Sequence, residues 1–198
     1  MVASLLNPHV SKPPAGRIAF ALRRPGGRIC AQPGPRLFFA VRSVGVTPHA
    51  HVLEYAFVDD DGALVARTLA RSPSPVTLAL GAAPGEAPAE ALDPEGLDAF
   101  AWPICRGARL VAYHRVLQAG LLPPSALSAA SQVDCAWRRF ERVAPARGVR
   151  LQRRDPPDLA DALGLVGLPA PDPKDAVARA RAVRLLWRWM EERPSAPA

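Results

Sequence analysis

Two apolar runs constrain this chain more than any other feature. "RLFFAVRS" (36–43) and "HVLEYAFV" (51–58) are apolar at both odd and even positions, so neither face of either strand can be left in water. Strands of that kind require a sheet covered on both sides, and therefore helices elsewhere in the chain to cover it. Between the second run and "ALVARTLA" (63–70) stands "DDDG" (59–62), which supplies a tight turn and completes an antiparallel meander. Three adjacent aspartates also suit a metal, but a hairpin tip rich in Asp and Gly is the expected role.

The covering helices follow. "DPEGLDAFAWPIC" (93–105) begins with Asp93 as N-cap and Pro94 at the first helical position. "ARLVAYHR" (108–115) is a further buried strand running into a helical "VLQAGLL" (116–122), and Asp134 lies on another strand. "CAWRRFERVAPARG" (135–148) is an amphipathic helix closed by Gly148, "PDLADALGLVG" (157–167) is a shorter one, and "PDPKDAVARARAVRLLWRWM" (171–190) is the last. The order predicts an α/β domain over 36–192, a mixed sheet of about five strands flanked by helices. Residues 1–35 are rich in Pro and Gly and read as a mostly irregular tail, with "RIAFAL" (17–22) a short strand or docking segment. Residues 193–198 form a short C-terminal tail.

The last helix poses a problem. At about 100° per residue, Ala176, Ala180, Val183, Leu186, Trp187 and Met190 form one apolar stripe, while Arg181, Arg184 and Arg188 occupy another side. Trp187 belongs to the core and Trp189 is a partly exposed neighbour. Arg179 falls inside the stripe. Burying an unpaired guanidinium costs several kcal/mol, so that position needs an explanation.

Charge and motifs narrow the classes. The 198 residues carry a net charge of +7, which favours a polyanionic partner. All but two of the basic residues, Lys12 and Lys174, are arginine, a bias that GC-rich coding also produces. No apolar run approaches the ~20 residues that span a bilayer, and the first residues lack the pattern of a signal peptide. A cytoplasmic location and no membrane are expected. Cys30, Cys105 and Cys135 share no C-x-x-C spacing and read as small buried hydrophobes. No P-loop, dinucleotide fingerprint or G-x-S-x-G elbow follows any strand, so a Ser43/His114/Asp134 hydrolase has no support.

Laid end to end, these segments resemble the DEDDh 3′–5′ exonucleases, the ribonuclease-H-like family that includes bacterial proofreading subunits. "AVRSVG" stands where the family has D-x-E-T-T-G, and "VLEYAFVDDDG" is close to its "IIEIAVVDADG" strand. "LVAYHRVLQ" is similar to "VVAYNAAFD", and "KDAVARARA" to the "HRALADARA" that opens the last helix. The resemblance implies that Ala40 and Arg42 occupy the first-strand Asp and Glu positions. Gln118 takes the place of the mid-chain Asp, and His114 that of the Asn before it. Lys174 replaces the general-base His, and Arg179 the last Asp. Glu54 sits where active members have a glutamate that is not a ligand.

What the resemblance implies for chemistry is loss. Two-metal phosphoryl transfer needs hard anionic oxygens around Mg²⁺. Ala40 offers none, Gln118 only a neutral carbonyl, and Arg42 and Arg179 are permanent cations. Lys174 is a poor base while protonated. No catalytic residue, metal or other cofactor is therefore expected. The leading expectation is an exonuclease-like pseudoenzyme that grips single-stranded nucleic acid, or its ends, through Arg42, His114, Gln118, Lys174 and Arg179. A protein-interaction module that docks a partner through the tail or the fold surface stands as the alternative. Residual or atypical exonuclease activity ranks third.

Overall fold

The computed structural model describes residues 34–44, 50–70, 91–151 and 157–192. The "RIAFAL" segment and both predicted tails, apart from Gly34 and Pro35, lie outside them. Five strands, β1 (Arg36–Val44), β2 (His51–Val58), β3 (Leu64–Leu69), β4 (Arg109–Ala112) and β5 (Gln132–Cys135), form one sheet in the order β3-β2-β1-β4-β5. β2 is antiparallel to β1 and β3, whereas β1, β4 and β5 run parallel. This is the α/β arrangement, a mixed sheet of five strands flanked by helices, that the sequence predicts.

The six helices among the described residues are α1 (Pro94–Cys105), α2 (Arg115–Ala119), α3 (Pro124–Ala129), α4 (Ala136–Val143), α5 (Leu159–Gly164) and α6 (Ala176–Glu191). The two-sided apolar strands bury both faces, as their composition requires. Phe38, Ala40, Ala56 and Val58 face a core with α4, α5 and α6. Phe39, Val41, Tyr55 and Phe57 face another with α1, α2 and α3. Burial pushes the Tyr55 hydroxyl up to about 12 and the Cys105 thiol up to about 11.

Several local expectations need adjustment. The strand read over 108–115 stops at Ala112, because Tyr113 and His114 turn into α2. The helix read over 135–148 starts after Cys135, the last residue of β5, and ends at Val143. A 3₁₀ turn (Pro145–Arg147) and Gly148, at φ +77°, then close it. The last helix begins at Ala176, with Asp175 accepting from the Val177 amide, rather than in the Pro-containing stretch before it.

The aspartate turn is a hairpin tip. Asp59 Oδ1 accepts from the amides of Asp61 and Ala63, both at 2.9 Å, and Gly62 takes φ +84°. The arginines of α6 reach across to it instead of standing free in solvent. Arg181 donates to the Gly62 carbonyl at 3.1 Å, and Arg184 and Arg188 donate to the Asp60 carbonyl at 2.5 and 3.0 Å. At the far end of α6, Glu191 accepts from Arg36 at 2.5 Å and from the Trp187 indole at 2.9 Å. The helix is thus fixed along its length against β1 and the β2–β3 turn.

Candidate functional site

Chain direction across the sheet reverses between β1 and β4. From β1 the chain builds outward through β2 and β3, and then returns to add β4 and β5 on the other side. In open α/β sheets a crevice forms outside the carboxyl ends of strands at such a point. Here β1 and β4 pair only over Arg36–Phe38 with Arg109–Val111. Beyond them no strand among the described residues pairs with β1 on that side. Gln118 of α2 fills the gap, its Oε1 accepting from the Val41 amide at 2.6 Å. The residue aligned with a metal ligand therefore seals a split sheet.

Ala40 is buried opposite Ala56 and packs in the α6-side core. Two residues along the same face, Arg42 stands directly across from Glu54 in the strand register. Glu54 is fully buried, with a side-chain exposure of 0%. Its Oε2 accepts from Arg42 Nε at 3.2 Å and from the Ala176 amide at 3.3 Å, while Oε1 accepts from Arg67 Nε at 2.6 Å. One carboxylate thereby compensates two arginines and caps the N-terminus of α6, where the helix dipole favours negative charge. Arg42 is tied into this cluster, a partner that the strand pattern alone did not reveal.

The remaining aligned residues stand around the start of α6. Lys174 is exposed in the turn before it and has no ion pair among the described residues. Arg179 is half-buried one turn inside the helix. It has neither a hydrogen bond nor an ion pair among the described residues, and Asp158 among them exerts an opposing field on it. Burial accordingly holds its guanidinium below the usual value, and the Asp158 charge partly offsets this. Asp158 belongs to the segment that caps α5 and accepts from the Asp161 amide at 2.8 Å. Tyr113 donates to the carbonyls of Pro157 and Asp158 at 2.8 and 3.0 Å, which fixes that segment beside the end of β4.

His114 forms the N-cap position of α2 without a side-chain capping bond. Its ring lies 4.6 Å from the Tyr113 ring and 6.3 Å from that of Trp137. Burial lowers its pKa, against a smaller opposing pull from Glu141. It is a partly buried ring packed beside Tyr113 and Trp137.

This donor set does not fit the magnesium pair that an exonuclease of this fold implies. Glu54 is the buried carboxylate nearest the aligned positions, and all its bonds go to two guanidiniums and a helix amide. Gln118 has its carbonyl turned to Val41. Among the described residues there is no group of three or more His, Cys, Asp or Glu side chains arranged to hold a metal ion. Asp134, the acid on β5, is taken by Arg109 and Gln132.

No family model matches the chain, and no curated protein matches it. Among solved structures, it is similar to the Neurospora crassa Pan2 catalytic unit (protease and nuclease domain), with 13% identity and a TM-score of 0.47. The match covers 83% of this chain and 28% of that one, so the chain spans little more than a quarter of that unit's length. No helix among the described residues is long and apolar enough to cross a membrane.

Proposed function

We propose that this chain is an exonuclease-like domain without metal-dependent cleavage, whose crevice binds a nucleic-acid backbone. The observation that carries this reading is Arg179, a half-buried cation on the core-facing stripe of α6 that makes no ion pair among the described residues, with Asp158 offsetting its burial only in part. An unpaired guanidinium in that environment is destabilising unless a ligand anion completes it, and phosphate accepts its fork bidentately. Lys174, exposed just before the same helix, adds a second cation. Arg42 contributes less than its alignment suggests, because Glu54 already neutralises it. Gln118 and His114 shape the walls. The chemistry at the aligned positions supports binding without cleavage, since the carboxylates that would hold metal are replaced and Glu54 is fully engaged.

The test is fluorescence anisotropy of labelled single-stranded DNA and RNA over a salt series, with cleavage of the same strands followed in Mg²⁺ and Mn²⁺. The expected result is a salt-sensitive complex and intact strands. Cleavage at rates above background contradicts the loss of catalysis. Absence of binding at low salt transfers the case to a protein-docking module.

A further inference from the structure

A second cationic site lies away from the crevice, at the open edge of the sheet. A cavity of about 390 Å³ beside the edge strand β5 is lined by five arginines, Arg109, Arg115, Arg138, Arg139 and Arg142. They come from three elements, β4, α2 and α4. Arginine-rich coding explains how many arginines the chain has, but not why three elements aim five of them at one cavity. The lining contains a single acid, Asp134, and that carboxylate is engaged by Arg109 and by Gln132, the latter at 2.8 Å. Glu141 lies outside the lining and reaches only Arg138, at 3.6 Å between exposed groups. Glu191, outside the lining and bonded to Arg36, also attracts Arg139, yet five guanidiniums against one lining carboxylate leave the cavity positive among the described residues.

Arg139 is the informative member. Its guanidinium sits 4.4 Å above the ring of Trp187, which is 2% exposed and forms part of the cavity wall. Stacking holds the head group in place while its buried Nε has no hydrogen-bond partner among the described residues. A buried, unsatisfied donor on a fixed cation is costly unless an acceptor arrives. Arg109 approaches the same ring at 5.9 Å. Arg115 leans on the edge-strand carbonyl of Val133 at 3.5 Å, and Arg142 donates to the Arg138 carbonyl at 3.3 Å, which leaves the rest of both forks for a ligand.

We propose that this edge cavity is a binding site for a phosphoryl group, carried by a small phosphate compound or by the terminal phosphate of a nucleic-acid strand. Planar forks on three elements match the several oxygens of such a group better than a single carboxylate, and the cavity volume is that of a small-ligand site. Arg179 is not part of its lining, so the site stands independently of the crevice.

Inorganic pyrophosphate is the probe, titrated by calorimetry at low ionic strength into the whole chain. Wild type is expected to bind it. The double charge reversal Arg138→Glu/Arg142→Glu changes two exposed side chains and should weaken binding at least about tenfold without lowering the melting temperature. Arg181→Ala, an exposed arginine at the β2–β3 turn and outside the lining, should bind pyrophosphate as wild type does. Arg139→Gln gives a further check, because it keeps the fold's hydrogen-bonding character while removing the stacked cation. Displacement by a 5′-phosphorylated trinucleotide but not by its 5′-hydroxyl counterpart assigns the ligand as a strand end. Displacement by neither assigns a free phosphate compound. Wild type that does not bind, a folded double variant with unchanged affinity, or equal displacement by both trinucleotides overturns the proposal.

Discussion

Glu54 shows how one residue decides what its neighbours can do. It is fully buried between Arg42 and Arg67 and also accepts from the first amide of α6. Glu54→Gln would keep the volume but leave two cations facing a neutral amide, and Arg42 is only 23% exposed. The expected loss is about 2–4 kcal/mol in urea unfolding, because removing one partner strands the buried charge of the other. Arg42→Ala should cost less, since Glu54 keeps Arg67 and the helix amide. A reversed order would contradict the shared-carboxylate account. His114 sets a pH dependence of definite sign. Its pKa lies below the ordinary 6.5 because burial disfavours the charged ring. Between the folded and unfolded values the unfolded chain binds more protons, so stability rises with pH there and is lost as pH falls below about 6.5. Urea midpoints taken from about pH 7 down to about pH 5.5 should fall for wild type and fall less for His114→Gln.

At the scale of elements, the decisive feature is the gap left where β4 ends and β1 continues. Gln118 spans it from α2 to the Val41 amide. Gln118→Leu leaves that amide without its acceptor and should cost about 1–3 kcal/mol, whereas Gln118→Glu keeps an acceptor and should recover most of the loss. Protection of the Val41 amide against hydrogen exchange reads this directly. Much at this scale was legible in the chain itself. β1 and β2 announce themselves because both faces are apolar, and α6 because its stripe is regular. Asp93 and Gly148 mark helix ends by their chemistry, and both do so in the structure. "PSALSA", the whole of α3, has no signature in the sequence, since six residues give too little period to register. β5 is only "QVDC", too short and too polar to bound from the sequence, and its last residue, Cys135, passes there for the first of the neighbouring helix. The Arg42–Glu54 bond depends on cross-strand register, and the edge cavity on three elements meeting. Neither has a signature in any local window.

For the whole molecule, the proposed crevice rests on α6, which carries Arg179. Arg184 and Arg188 hold this helix to the β2–β3 turn, and Arg36 with Glu191 holds its far end to β1. Arg179 is therefore presented by an anchored element, and its head group makes no ion pair among the described residues, Asp158 offsetting its burial only in part. A fold that fixes a cation in this way is suited to meeting an anion from outside. The account is tested most directly by comparing wild type with Arg179→Asp for single-stranded nucleic-acid binding across a salt series, alongside their melting temperatures. It predicts a variant that melts with wild type, binds more weakly, and shows a salt slope shallower by about one unit. A folded Arg179→Asp variant with wild-type affinity and slope would contradict it.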